Sequence, residues 1–140
     1  MKYRLNTQVS AILDTAREEA REMGNNYIGS EHLLLAILKD TATPLSRLLC
    51  AQGVYYFQLK EDLMVLFGLK DQDVEELQIT QVVDDILERG MSLSSKKQNT
   101  AMDVDSLTLA LLQTNSCVAT EILHRYDVDE EVVLLQMEHG

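Results

Sequence analysis

The chain has 140 residues, 46% apolar and 25% charged, with one proline and no tryptophan. That is the profile of a single folded, helix-rich domain burying roughly two-thirds of its unfolded surface, and it excludes a disordered segment. Twelve Lys and Arg against 23 Asp and Glu give a net charge of −11, a field that repels phosphate backbones and anionic lipid and so disfavours nucleic-acid and membrane partners.

In chain order, Asn6 or Thr7 is placed to cap a first helix in which Val9, Ile12, Leu13, Ala16 and Ala20 recur at helical spacing, and Gly24 supplies its stop. Arg17, Glu18, Glu19, Arg21 and Glu22 read as its wet face. Ser30 is placed to cap a second, mostly apolar helix that ends near Lys39. Thr43 and Pro44 read as the cap and first position of a third, which runs to about Ala51 and stops at Gly53. A fourth is expected over 55–67 with Gly68 at its end, and the acidic, weakly apolar stretch 69–78 reads as a linker. Four more helices are expected near 80–98, 104–113, 116–126 and 129–137. No run of β-branched residues alternates with polar ones for long enough to argue a sheet.

The second half repeats the first. At an offset of 74 positions (105 − 31), "VSAILDTA" falls on "VDDILERG" and "EHLLLAILKDTATPLSRLLCAQGV" on "DSLTLALLQTNSCVATEILHRYDV", both without a gap. Leu33, Leu35, Ala36, Leu38, Leu49 and Val54 meet Leu107, Leu109, Ala110, Leu112, Leu123 and Val128. An ungapped match across two helices and their connector points to an internal duplication. The expected fold is all-α: two tandem four-helix repeats, about 1–68 and 79–140, packed as one pseudo-twofold eight-helix domain with the second helix of each copy at its centre.

The stretch "EEAREMGNNYIGSEHLLLAIL" resembles the hallmark of the Clp N-terminal repeat, in which a helix ending in a Gly-His/Asn-Asn turn leads into Gly-Thr/Ser-Glu-His-Leu/Ile-Leu. The resemblance covers essentially the whole chain, but the second copy departs from the motif. It has "DVDS", with Asp105 in the glutamate's place and Ser106 in the histidine's. The resemblance implies a domain at the front of a Hsp100/Clp AAA+ unfoldase that docks adaptor proteins and substrates and works with a ClpP-type protease. In the ClpC branch it also implies phosphoarginine recognition through the motif glutamate. Carried over, this nominates Glu31, with Asp105 as a weakened second copy.

A carboxylate in the first turn of a helix is favoured by the dipole whatever else it does. Beyond that, a carboxylate can take a guanidinium while helix-start N–H groups take phosphate, so Glu31 beside Ser30 offers both ends of a phosphoarginine. His32 has no second histidine at i+4 and no accompanying metal motif, and reads as local structure. Tyr55, Tyr56 and Phe57 are consecutive and cannot all face one core, which makes them a candidate partner-docking patch. Asp84, Asp85 and Glu88 read as a solvated face, with basic adaptor or substrate segments as the sharper use of such acidic surfaces.

No metal or cofactor is expected, and no catalytic residue. None of the six lysines follows a glycine, so the Gly-Lys of a nucleotide phosphate loop is missing. Cys50 and Cys117 have no CxxC spacing and read as small buried hydrophobes in a reducing compartment. The N-terminus "MKYRLNTQVS" has no apolar leader and no window approaches the ~20 apolar residues of a membrane span, so a cytosolic protein is expected.

The leading reading is a recognition module that recruits adaptors or substrates, whether as an excised N-domain or a free-standing member of the family. The alternatives are a stand-alone regulatory interaction module without phosphoarginine binding and, more remotely, a thiol hydrolase. Under the 74-residue offset Cys50 and His124 are equivalent positions, so a pseudo-twofold axis could bring them together, with Asp127 near in sequence.

Overall fold

The computed structural model describes residues 3–67, 76–114 and 117–139. Among these it contains eight helices: α1 (Thr7–Glu22), α2 (Ser30–Lys39), α3 (Pro44–Ala51), α4 (Tyr56–Phe67), α5 (Gln81–Lys96), α6 (Val104–Gln113), α7 (Val118–Arg125) and α8 (Glu130–His139). The protein is an all-α, eight-helix domain.

The same capping chemistry recurs at the 74-residue offset. Asn6 and Thr80 precede α1 and α5, and their side chains accept hydrogen bonds from Val9 N at 2.8 Å and Val83 N at 3.2 Å. Each satisfies one N–H that a helix start leaves without an intrahelical partner. Past α1 the chain turns through Gly24 at φ 71°, and past α5 through Gln98 at φ 64°, where a side chain is tolerated at some steric cost.

The two halves are laced together by exchanged backbone pairing. Strand β1 (Tyr27–Ile28) runs parallel to β2 (Gln78–Ile79), with Ile28 opposite Ile79. A parallel bridge joins Leu5, the offset equivalent of Ile79, to Met102, the equivalent of Ile28. The Asn6 and Thr80 amides donate to the Met102 and Ile28 carbonyls, both at 3.0 Å. Each repeat's entry segment therefore pairs with the other repeat. This pairing departs from the expectation of no sheet, because two-residue strands are too short to leave a period in the sequence.

Helix α2 is the centre of the core: every residue from Ser30 to Leu38 is buried. Leu33, Leu34, Leu35 and Ile37 are fully enclosed, and each contributes roughly 1.5–3 kcal/mol by leaving water. In α6, Leu107, Ala110 and Leu111 are likewise fully enclosed. Several element ends differ from expectation. Helix α4 starts at Tyr56, α5 spans Gln81–Lys96, α7 spans Val118–Arg125 and α8 starts at Glu130. Gln78, the last residue given to the linker, lies in β2, while 68–75 lie outside the described residues. No helix among the described residues is long and apolar enough to cross a membrane.

Candidate functional site

The start of α2 carries the densest polar network near the candidate residues. Gly29 is its N-cap, so Ser30 is the first helical residue and does not cap α2. The Gly29 N–H donates to His32 Nδ1 at 2.9 Å, which leaves the imidazole proton on Nε2, 2.8 Å from Asn25 Oδ1. Burial pushes the His32 pKa down to about 4, with the charge of Glu19 working the other way. The ring is neutral near pH 7 and closes the end of the helix.

The Ser30 hydroxyl points to the other repeat. Its Oγ accepts from Ala119 N, in the first turn of α7, at 3.1 Å. The residue that should cap α7 is Cys117, whose side chain makes no cap bond. A serine from α2 does that work because a thiol is a poor acceptor.

Glu31 is 2% exposed. Its Oε2 accepts from the Tyr27 hydroxyl at 3.1 Å, and its carboxylate also turns back on its own N–H. Burial raises the Glu31 pKa above the ordinary carboxylate value, opposed by its own N–H and by Tyr27. Burial likewise pushes Tyr27 up to about 12, with the nearby Glu31 charge adding to it. Among the described residues no basic side chain forms an ion pair with Glu31. A Cβ on Gly29 would stand 2.0 Å from Glu31 Oε1 and 3.0 Å from Tyr27 Cε2. Glycine at 29 is what lets the carboxyl fold down there.

The equivalent start of α6 is built differently. Asp103 replaces Gly29 as N-cap, and its carboxylate takes Ser106 N at 2.7 Å, Lys97 Nζ at 2.8 Å and Asn99 Nδ2 at 2.8 Å. Burial raises the Asp103 pKa, but Lys97 and Ser106 outweigh it and hold it below the usual value. Ala101 stands where Tyr27 does, and Asp105 is exposed. The candidate acids Glu31 and Asp105 thus sit in opposite surroundings.

Of the aromatic patch, Tyr55 is 53% and Phe57 81% exposed. Tyr56 turns inward and donates to Glu19 Oε1. Glu19 is a correction to the sequence reading: it lies at 0% exposure, with Lys60 Nζ 2.9 Å from Oε2 and Lys39 Nζ 3.5 Å from Oε1. Burial works against the Lys60 ammonium, but hydrogen bonds to Glu22, Glu19 and Tyr56 outweigh it and raise its pKa. The cluster ties α1 to α4. The thiol-hydrolase arrangement finds no geometry, because His124 Nε2 is held by the Glu130 carboxylate at 2.6–2.7 Å and no hydrogen bond joins it to Cys50 among the described residues. Among those residues no three His, Cys, Asp or Glu side chains are grouped to hold a metal.

An apolar groove that sequence reasoning did not find lies where the repeats meet. Tyr3, Leu5, Leu13, Ile28, Ile79 and Leu87 line it, Ser10, Asp14, Arg17 and Asp84 complete it, and it holds about 220 Å³. The Tyr3 hydroxyl donates to Asp84 Oδ1 at 2.9 Å and so holds the entry segment against α5. That volume suits one or two apolar side chains rather than a whole metabolite.

Residues 4–138 match the family model described as the Clp repeat (R) N-terminal domain. The chain is 22% identical over 125 residues to the chaperone protein ClpB of Oceanobacillus iheyensis, covering 89% of this chain and 16% of the relative. It is 23% identical over 125 residues to the negative regulator of genetic competence ClpC/MecB of Bacillus subtilis, covering 89% and 15%. The chain thus spans about one-sixth of the length of these relatives. The N-terminal domain of Hsp104 from Candida albicans superposes with a TM-score of 0.79 at 15% identity over 96% of this chain and 89% of that one. That of ClpD from Arabidopsis thaliana gives 0.75 at 12% identity over 97% and 96%. A ClpV N-domain in complex with a VipB peptide gives 0.68 at 17% identity over 93% and 82%.

Proposed function

Because the chain belongs to the Clp N-terminal repeat family, we propose that it is a non-catalytic recognition domain that docks adaptor proteins and protein substrates for a Clp-type unfoldase and its partner protease in the cytosol. The observation that carries this reading is the groove between α1 and α5. It is apolar, sized for side chains, and built from both repeats. The peptide-bound ClpV relative supports it, since that N-domain takes a peptide. A test is the affinity for carboxymethylated α-lactalbumin, a chain that cannot fold. Leu13→Ser with Ile79→Ser, both on the groove wall, should weaken binding at least tenfold, since each removes roughly 1 kcal/mol or more of apolar contact. Equal affinity would contradict the reading.

A second, finer reading is favoured by one feature of Glu31: it is a buried carboxyl whose side-chain hydrogen bond comes from a neutral donor, Tyr27. A guanidinium that displaced Tyr27 would gain a charge-assisted bond. In this reading Glu31 takes the cationic half of phosphoarginine at the start of α2, and exposed Asp105 is the weaker second site. Ser30 contributes only by fixing α2, since its hydroxyl accepts from Ala119. Calorimetric titration with free phosphoarginine tests it: Glu31→Gln should abolish the heat of binding while the helical circular dichroism is kept. Unchanged affinity would leave the chain an interaction module without phosphoarginine recognition.

A further inference from the structure

Large apolar side chains on a protein surface are ordinary when scattered and informative when they cluster. Here they cluster on α4. Phe57 and Val65 are 81% and 80% exposed, and Leu66 and Phe67 follow at the helix end. Phe57, Glu61 and Val65 are spaced by four residues, so they form one stripe along the helix with a carboxylate between two apolar groups.

Beside this stripe α4 meets α7. Two adjoining depressions of about 340 and 170 Å³ lie there and share Leu66, Ile122 and Arg125. Asp62, Val65 and Tyr126 complete the first, and Phe67, Val118 and Glu121 the second. The Tyr126 hydroxyl donates to Asp62, so the two walls are fastened to each other. At the 74-residue offset Phe57 is replaced by Glu131, so this exposed aromatic is not shared by the equivalent helix α8.

We propose that the α4–α7 face is a second docking surface, distinct from the α1–α5 groove, and that it takes an amphipathic helix of another protein bearing Lys or Arg beside its apolar stripe. The rim specifies the charge. Glu61 and Glu121 are exposed and Asp62 is bonded to a neutral phenol, while among the described residues Arg125 is the one cation lining the depressions. Lys60, on the same helix, is already held by Glu19 and Glu22. A second copy of the chain is the wrong occupant, because two bodies of net charge −11 repel. Apolar anchors entering two pockets, with cations over the acidic rim, fit a helix laid in a groove.

The test uses a synthetic amphipathic peptide of Leu and Lys only, its Leu/Glu counterpart, and the isotopically labelled full chain. The Leu/Lys peptide should shift amide signals of α4 and α7 and leave those of the α1–α5 groove unmoved. Val65→Ser with Leu66→Ser, which changes no charge, should weaken it at least tenfold. Glu61→Gln with Glu121→Gln should weaken it severalfold and reduce its salt dependence. The Leu/Glu peptide should not bind. The proposal is overturned if the Leu/Lys peptide fails to bind, binds the serine variant equally, or maps to the α1–α5 groove; the last result would leave the first docking site standing. Equal binding of the Leu/Glu peptide overturns it as well.

Discussion

Ser30 Oγ accepts a hydrogen bond from Ala119 N at 3.1 Å across 89 positions of sequence. A residue of the first repeat's motif thereby caps a helix of the second. Ser30→Ala should cost about 1 kcal/mol in urea denaturation. It should also speed hydrogen exchange at the Ala119 amide more than at amides of α3. Adding Cys117→Ser should recover part of the loss, because a hydroxyl at the N-cap can then accept from the first turn of α7.

Gly29 has φ −101°, so alanine fits its backbone, and the new Cβ collides chiefly with the far end of the Glu31 side chain and presses on the Tyr27 ring, which must give slightly. Gly29→Ala should therefore cost less than about 1 kcal/mol, while turning the carboxyl out toward water. Carboxyl NMR titration should show the Glu31 pKa falling back toward the ordinary carboxylate value. A pKa that stayed raised would mean that glycine is not what allows the closed arrangement.

His32 and Glu31 give opposite pH dependences. The folded pKa of His32, about 4, lies below its unfolded value. The unfolded chain therefore binds the extra proton between roughly pH 4 and 6.5, and stability is lost as pH falls through that window. With a shift of this size the loss is about 3 kcal/mol. His32→Gln keeps a side chain able to accept from Gly29 N and should remove this slope. The Glu31 pKa is raised, so its contribution is present below the unfolded pKa and lost as pH rises through the folded one. Glu31→Gln should consequently raise stability at pH 7 relative to acid. Urea titrations at pH 4.5 and 7, followed by circular dichroism, separate the two.

Glu19 is buried against Tyr56 and Lys60. Glu19→Ala removes the acceptor and leaves Lys60 with Glu22 and the Tyr56 hydroxyl at 3.3 Å. We expect a loss of about 2 kcal/mol by urea denaturation, less than for a fully orphaned buried charge. Replacing Glu19 and Lys60 together by methionine should cost less than Glu19→Ala alone.

Much of the architecture was legible because it is written in apolar spacing. The offset of 74, the eight helices and the centrality of α2 all follow from where Leu, Ile, Val and Ala recur. The burial of Glu19 is legible too, in its register rather than its charge. It stands three residues after Ala16 and seven after Ile12, on the apolar face of α1. The part of Tyr27 had a weaker signal, its place four residues before Glu31. The Ser30–Ala119 bond, the exchanged strand pairing and the groove had none, because each joins segments far apart in the chain. Sequence periodicity describes one element's faces, and these features exist only once two elements meet.

Docking at the junction between the repeats is measured most directly by an amide-shift map of the labelled full chain titrated with carboxymethylated α-lactalbumin. Saturable shifts are expected at Leu5, Ser10, Leu13, Ile28 and Ile79, and their loss in the variant with Leu13→Ser and Ile79→Ser. Shifts absent at those residues, or unchanged in that variant, would contradict a recognition role for the junction between the repeats.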